Sequence, residues 1–337
     1  IQVEGTDLRD AYAIQSVYID HAVNTISTAR LVLIGDVDTN SGDMPITDSD
    51  ELDPGKKIEI FAGYGGAASN SIFKGIIVKH GVKLDTETHY SFIIECRHEA
   101  VKMTYNETEN YFENQADDAI ITSVISDYGI SCTVGSCSET NAFTFQKMST
   151  DWNFILSRSN FNGFLVTMDG DAGMVIDKPA VSGQAVLKIE AGISMLAFDG
   201  TLDAEDQPFG ITASAWDPNT QSLLKTHTTE PTVNSQGNIK PTDLSSKLPQ
   251  HELNLVSATP MTPASLQQWA DSTLLRKRLH AYKGTVKFFG NALAKTGSII
   301  EITGVGKKLS GQAFVSGVTH VIESQNWNTT VSFGLDK

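Results

Sequence analysis

Short runs of β-branched and aromatic residues, bounded by Gly, Pro or Asp, recur near both ends of the chain. This pattern is typical of β-strands. We predict strands at 30–34, 57–61, 73–78, 90–96, 285–289, 298–302, 313–318 and 329–333. The chain is therefore predicted to be mainly β.

Two segments with helical spacing lie between these groups of strands. The first runs from about 115 to 128, with Asn114 as N-cap and Gly129 as its end. Its predicted apolar face consists of Ile120, Ile121, Val124, Ile125 and Tyr128. The second begins at Ser149 or Thr150 and ends before Gly163. Strands at 143–145, 164–167 and 174–176, with a turn at 169–173, complete a predicted α+β domain over residues 97–184.

A third helix is predicted over 262–280. Thr262 would cap it, Pro263 would occupy its first position, and its apolar spacing includes Leu266, Trp269 and Leu274. The basic run 276–278 falls in its last turns, where positive charge complements the helix dipole. Residues 226–252, rich in Thr, Pro, Ser and Asn, are predicted to be a mobile loop or linker.

The two outer β segments resemble each other. Residues 54–60 (PGKKIEI) are answered by residues 296–302 (TGSIIEI), and each copy continues through a Gly-rich turn into a strand. From Gly55 to Phe73 is 18 residues, and from Gly297 to Phe314 is 17 residues. We therefore predict two similar β-barrel domains flanking the α+β domain: 1–96 for the first, and 185–337 for the second, with a helix-containing insertion at about 226–283.

Composition and charge weigh against several functional classes. The chain has 25 Lys and Arg against 40 Asp and Glu, a net charge of −15. Such a charge disfavours binding to the phosphate backbone, so no specific nucleic-acid partner is predicted. No apolar stretch approaches the roughly 20 residues that cross a bilayer, so no integral membrane segment is predicted.

The sequence contains no recognisable catalytic or metal-binding motif. No pair of its histidines has the helical spacing that zinc sites favour, and His320 is predicted to be a packed or hydrogen-bonded strand residue. The turn Asp169-Gly170-Asp171 lacks the further acidic ligands of a calcium loop. Cys132 and Cys137 could form one disulfide or remain two half-buried thiols. We predict no catalytic, cofactor or metal residues, and no enzyme.

Several short motifs in a fixed order resemble a known family. They are I-E-I after Pro54-Gly55, then Ile72–Ile77, Asp151–Leu156, Asn162–Val166, and a close from Gly317 to Leu335 that contains Trp327-Asn328. Nearly the whole chain is similar to VgrG (Rhs-element Vgr) proteins of type VI secretion and to late-control D hub proteins of contractile phage tails.

This resemblance implies the structural hub, or spike base, of a phage-tail-like injection system. It implies a homotrimer at the end of an inner tube, among other baseplate subunits, with an oligonucleotide-binding-type barrel and a spike following or supplied by a separate tip protein. Such a particle would be assembled in the bacterial cytoplasm and delivered or released outside the cell. Two similar domains per chain would give three chains a pseudo-sixfold ring, able to match a hexameric tube to a trimeric spike. The alternatives are an all-β adhesin or receptor-binding protein and, thirdly, a peptidoglycan hydrolase.

Overall fold

The computed structural model describes residues 1–8, 11–38, 40–65, 70–84, 89–137, 139–169, 173–234, 236–248, 252–324 and 326–335. Strands dominate the fold, as predicted, and 13 of them belong to one sheet. The N-terminal strands of this sheet are β1 (Gln2–Val3), β2 (Thr6–Asp7), β3 (Ala13–Ala22), β4 (Thr28–Asp36), β5 (Lys57–Ala62), β6 (Asn70–Leu84) and β7 (His89–Arg97). The C-terminal strands of the same sheet are β13 (Leu187–Glu190), β14 (Met195–Leu202), β18 (Tyr282–Phe289), β19 (Ile299–Thr303), β20 (Gly311–Glu323) and β21 (Asn326–Phe333).

The large sheet follows the order β14-β18-β21-β20-β3-β4-β7-β6-β5-β1-β2, with β19 on the remaining edge of β20 and β13 beside β19. Closed barrels at the two ends of the chain are therefore a wrong detail of the prediction. Over the described ranges neither end closes on itself, because β20 pairs with β3 and joins the two ends into one open sheet.

The central part of the chain forms an α+β unit. It contains β8 (Glu107–Ala116), α1 (Asp117–Ser126), β9 (Cys132–Val134), β10 (Thr140–Thr150), α2 (Asp151–Phe161), β11 (Leu165–Asp169) and β12 (Gly173–Asp177). β11 and β12 form an antiparallel hairpin, but the predicted turn residues Gly170, Asp171 and Ala172 lie outside the described residues.

The first helix confirms its predicted core face but not its predicted start. Ile120, Ile121, Val124 and Ile125 are buried, and Tyr128 packs against the same cluster. Asn114 is not the N-cap, because the chain continues in β8 and pairs with β10 as far as Ala116. The second helix begins as predicted: the Thr150 hydroxyl accepts the backbone N–H of Asn153 at 3.2 Å.

A smaller sheet packs against the long third helix. It consists of β15 (Ile211–Asp217), β16 (Ser222–His227) and β17 (Leu253–Ser257), and the chain also contains the short helix α3 (Pro241–Ser245) and the long helix α4 (Pro263–His280). Thr262 caps α4 as predicted, since its hydroxyl accepts the N–H of Ser265 at 3.1 Å. Leu266, Ala270 and Leu274 are buried against β15.

The segment 226–252 is more ordered than the predicted linker. β16 ends at His227, α3 occupies part of the segment, and Gln236 forms a bridge with Gly311 of β20. Glu230 also binds Arg278 of α4, so tertiary contacts hold a segment whose composition alone indicated a loop. Residues 235 and 249–251 lie outside the described residues.

No described helix is both long enough and apolar enough to span a membrane.

Candidate functional site

His320 lies inside the sheet, on β20. Its side chain is almost fully buried, its Nδ1 lies 2.9 Å from the Thr329 hydroxyl, and the indole of Trp327 donates to it at 3.3 Å. Burial lowers the pKa of His320 to about 3, with a smaller effect from the nearby His21. The imidazole is therefore neutral at physiological pH and packed, in agreement with the predicted hydrogen-bonded role.

The acidic start of α1 has a structural role that the sequence did not reveal. Asp117 is buried and accepts two hydrogen bonds from Arg158 of α2, at 2.8 and 2.6 Å. Asn162, at the end of α2, donates to the same carboxylate at 2.6 Å, and Gln268 of α4 donates to the Asn162 amide oxygen at 3.1 Å. This network ties the three helices together.

The basic run at the end of α4 is explained by tertiary ion pairs more than by the helix dipole. Arg278 is fully buried, and its guanidinium donates to both carboxylate oxygens of Glu230, at 2.7 and 2.9 Å, and to Gln207 at 3.2 Å. Lys277 binds Asp206. Because these contacts satisfy the charges within the fold, Lys277 and Arg278 do not form a basic binding patch.

A groove of about 1080 Å³ lies between the end of β3, the helices α2 and α4, and the strands β20 and β21. Asp20, Asn160, Thr273 and Arg276 are among its lining residues. Arg276 donates to the backbone oxygen of Phe164 at 3.3 Å, so part of its guanidinium already serves the fold. Among the described residues no cluster of His, Cys, Asp or Glu could hold a metal ion.

All three cysteines are free thiols. Of the two readings open for Cys132 and Cys137, the structure has the half-buried thiols. Burial raises the pKa of Cys137 to about 11 and also raises that of Cys132, so both are protonated at neutral pH.

The strongest organised feature of the molecule is a structural repeat. We name β3–β7 the N-terminal half, and β14 with β18–β21 the C-terminal half. The N-terminal half pairs in the order β3-β4-β7-β6-β5, and the C-terminal half in the order β14-β18-β21-β20-β19. Each strand of one half thus has an equivalent in the other.

Backbone contacts at the start of each repeat are the same. Gly55 donates to the oxygen of Ile77 at 2.7 Å, and Ile77 donates back to the residue after the glycine; Gly297 and Val315 make the same pair of bonds. Gly55 and Gly297 both have positive φ, 98° and 83°, which glycine adopts without strain. The repeated Pro-Gly and Thr-Gly signals therefore mark equivalent turns.

The equivalence extends to irregularities of the strands. The β6–β7 register shifts between Ile77 and Lys79, and the β20–β21 register shifts between Val315 and Gly317. The β3–β4 and β14–β18 pairs also shift at matching places. This register makes Val315, not a residue three positions later, the counterpart of Ile77. The sequence-based pairing of Phe73 with Phe314 is therefore wrong by three residues, because the loop before β6 is longer than the loop before β20.

The two halves meet where β20 runs antiparallel to β3, from Gly317 opposite Ala22 to Glu323 opposite Ser16. The Thr319 hydroxyl donates to Asp20 across this junction at 2.8 Å. Sequence reasoning missed the junction, since it predicted only residues 313–318 of β20 and no strand at β3.

Comparison with solved structures identifies the class of fold. The 43 kDa tail protein of prophage MuSo2 from Shewanella oneidensis is similar over 98% of this chain and 96% of that chain, with 13% identity and a TM-score of 0.70. A tail protein from Neisseria meningitidis MC58 is similar over 99% of this chain and 95% of that chain, with 13% identity and a TM-score of 0.72. The c3393 protein of E. coli, a component of the type VI secretion system described as similar to the T4 tail proteins gp27 and gp5, is similar over 100% of this chain and 76% of that chain, with 9% identity and a TM-score of 0.64.

The chain thus has the fold of phage tail proteins. It belongs to the Alg8 N-terminal domain family, which matches residues 1–324. The predicted resemblance to VgrG and late-control D proteins holds for the fold, whereas the matching family carries a different name. A comparison with curated proteins gave no match.

Proposed function

We propose that this chain is the structural hub of a contractile, phage-tail-like injection system. In this proposal three copies form a ring, and the ring adapts a hexameric inner tube to a trimeric spike. The observation that carries the proposal is the repeat: two halves with the same strand order, the same glycine contacts and register shifts at matching places.

The physical argument is one of symmetry. A contact between different surfaces of identical subunits closes into a ring when its rotation divides a full turn. A chain with two similar halves presents two near-equivalent positions, so three chains present six. The fold shared with tail proteins supports this arrangement, and the relative from E. coli is itself described as part of a type VI secretion system.

The proposed division of labour follows the chain. Residues 1–96 and 185–337 supply the repeated halves, 97–184 form the α+β domain, and 226–283 form an insertion. The distribution of buried apolar residues supports this division, since separate clusters centre on β3–β7, on α1 with α2, on β18–β21, and on β15 with α4.

The proposed partners are the chain itself, the tube protein, a spike domain or tip protein, and other baseplate subunits. The particle would be assembled in the cytoplasm of a bacterium and act outside it. The role is structural and requires no catalytic group.

The mass of the purified protein in solution tests the proposal. We expect about three times the 36.5 kDa mass of the chain, and negative-stain images of a threefold ring. The same preparation should leave peptidoglycan intact. A stable monomer at micromolar concentration, or a monomer that clears cell walls, would contradict the hub.

A further inference from the structure

The repeat leaves two strand edges without partners in the described part of the chain. Residues 79–84 of β6 pair with β7 on one side only, because β5 covers the other edge of β6 no further than Ile76. Along β14, residues 197–202 pair only with β18. In the C-terminal half, the matching edge of β20 is occupied by β3.

These open edges are equivalent to the two strands that already pair within the chain. Since Ile77 matches Val315, residues 79–84 of β6 match residues 317–322 of β20. Since β3 and β14 have matching register shifts against β4 and β18, residues 17–22 of β3 match residues 198–203, at and just beyond the end of β14. The contact that joins β20 to β3 therefore has an unfilled counterpart between β6 and β14.

We propose that β6 of one copy pairs antiparallel with β14 of a second copy, in the register of the β20–β3 junction. This inference rests on the proposed ring and specifies its contact between subunits. Transfer of the junction's register places Lys79 opposite Asp203, Val82 opposite Gly200, and Lys83 opposite Asp199.

The charges of the two edges agree with this register. The transferred pairing brings two lysines of β6 opposite two aspartates at the β14 edge, although the register was obtained from backbone pairing alone. None of the matching pairs in the β20–β3 junction joins opposite charges; Val321 there lies opposite Tyr18, in the place of Lys83 and Asp199. Opposite charges on directly facing strand positions stabilise a pair, and like charges oppose it.

Burial supports the same contact. Val82 and Leu84 of β6 are 47% and 56% exposed, whereas their counterparts His320 and Ile322 lie under β3 in the junction, His320 at 2%. A long strand edge that carries exposed apolar residues is a template for pairing with another chain. The size of Val82 is matched by the glycine that the register places opposite it.

The two edges are different surfaces, so the contact is heterologous and closes only as a ring. Four strands of each half, β3-β4-β7-β6 and β14-β18-β21-β20, would then lie side by side around a single closed sheet. The barrel that the single chain lacks would be completed by assembly.

Cysteine cross-linking tests the register. We expect a chain carrying Lys83→Cys and Asp199→Cys to form disulfides between copies on mild oxidation with diamide, since directly opposite Cβ atoms lie about 4.5–5.5 Å apart. Under non-reducing denaturing conditions, two-chain and three-chain species should appear, ending at three. A ladder that continues beyond three chains would overturn the closed ring.

A matched control uses Lys74, an exposed lysine on the same strand. Its edge is filled by Glu59 of β5, so Lys74→Cys with Asp199→Cys should not cross-link. The single-cysteine variants measure the background from the three native thiols. If the unmodified protein is a trimer and the Lys83–Asp199 variant links no better than this control, the edge pairing is wrong while the hub proposal stands. If the unmodified protein is a monomer and nothing links, both fail.

A charge exchange gives a second test that needs no cross-link. Lys83→Glu and Asp199→Lys should each weaken trimer association, by about 2–5-fold per contact for an exposed pair. The double variant should restore it, and the fraction of trimer against concentration, measured by mass photometry, reports both effects. Equal association of all four proteins, or a double variant weaker than either single one, would overturn the pairing.

Discussion

Buried histidines tie the stability of this protein to pH. His320 is held neutral inside the sheet with a pKa lowered to about 3, and burial lowers the pKa of His98 to about 4. In the unfolded chain both would titrate near the ordinary histidine value of about 6.5. Between these limits the unfolded state binds more protons than the folded state, so stability falls as pH decreases.

We expect the free energy of unfolding to fall between pH 6.5 and 5, by up to about 1.4 kcal/mol per pH unit for each such histidine. His320→Gln should reduce this slope, because the substitute does not titrate. Urea unfolding at pH 7, 6 and 5 measures the slope. As a control, His89→Gln should leave the slope unchanged, since the His89 side chain is 60% exposed. An unaltered slope in His320→Gln would show that His320 does not carry the effect.

Charged residues that looked alike in the sequence differ sharply in the structure. Asp117 and Arg278 are buried in complete hydrogen-bond networks, whereas Asp118 and Lys79 lie at the surface. Sequence position at a helix terminus suggested dipole interactions for Asp117 and Arg278. Their actual partners, Arg158 and Glu230, are about 40 to 50 residues away along the chain, which no local pattern indicates.

At the scale of elements, α4 joins the insertion to the rest of the molecule. Its buried face packs on β15, and its polar side chains reach Asn162 of α2. Its predicted apolar face was correct, but the residues on that face are not equally buried. Leu266 is 0% exposed, whereas Trp269 is only partly buried at the edge of the cluster.

Leu266→Ala should therefore destabilise the protein by about 2–5 kcal/mol, since it opens a cavity in a closed core. Trp269→Ala should cost less than the 3–5 kcal/mol of a fully buried aromatic residue, because solvent already reaches one side of the ring. Denaturant midpoints of the two variants test this ranking. A larger loss at Trp269 than at Leu266 would mean that the tryptophan makes the dominant contact.

Many helices and strands were predictable from the sequence, and the failures share a physical cause. The helix starting at Thr150 and the helix starting at Pro263 were correct because cap, first turn and apolar spacing agree. β8 was missed because its two-stranded ribbon with β10 is largely exposed, with Tyr111 and Phe145 on its surface, so it lacks the alternation of a half-buried strand. β3 was missed although its partner β20 was partly predicted, since strand patterns do not encode which edges meet.

At the scale of the whole molecule, the repeat was detectable and its consequence was not. Short motifs around Gly55 and Gly297 announced two related units, and the structure has them. The sequence suggested two separate barrels, whereas pairing between β20 and β3 merges the units into one sheet. The choice between these outcomes depends on residues about 300 positions apart, and periodicity within each strand is the same in both.

Net charge should govern how ionic strength affects assembly. Each chain carries −15, so three chains in a ring repel one another at long range. The screening length falls from about 30 Å at 0.01 M salt to about 10 Å at 0.1 M. We therefore expect the trimer fraction at fixed protein concentration to rise over this range, as measured by mass photometry. A trimer that instead dissociates as salt is added would show that local ion pairs dominate its association.

The two longest strands change neighbours along one edge. β20 lies beside β19 up to Phe314 and beside β3 from Gly317 onward, and β6 leaves β5 at Ile76. In an assembled hoop, each of these strands would be both a stave and the stem of a projecting bracket. A mechanical load applied to a bracket would then enter the hoop through unbroken peptide bonds, and separating the two would require stretching covalent chain instead of parting hydrogen bonds.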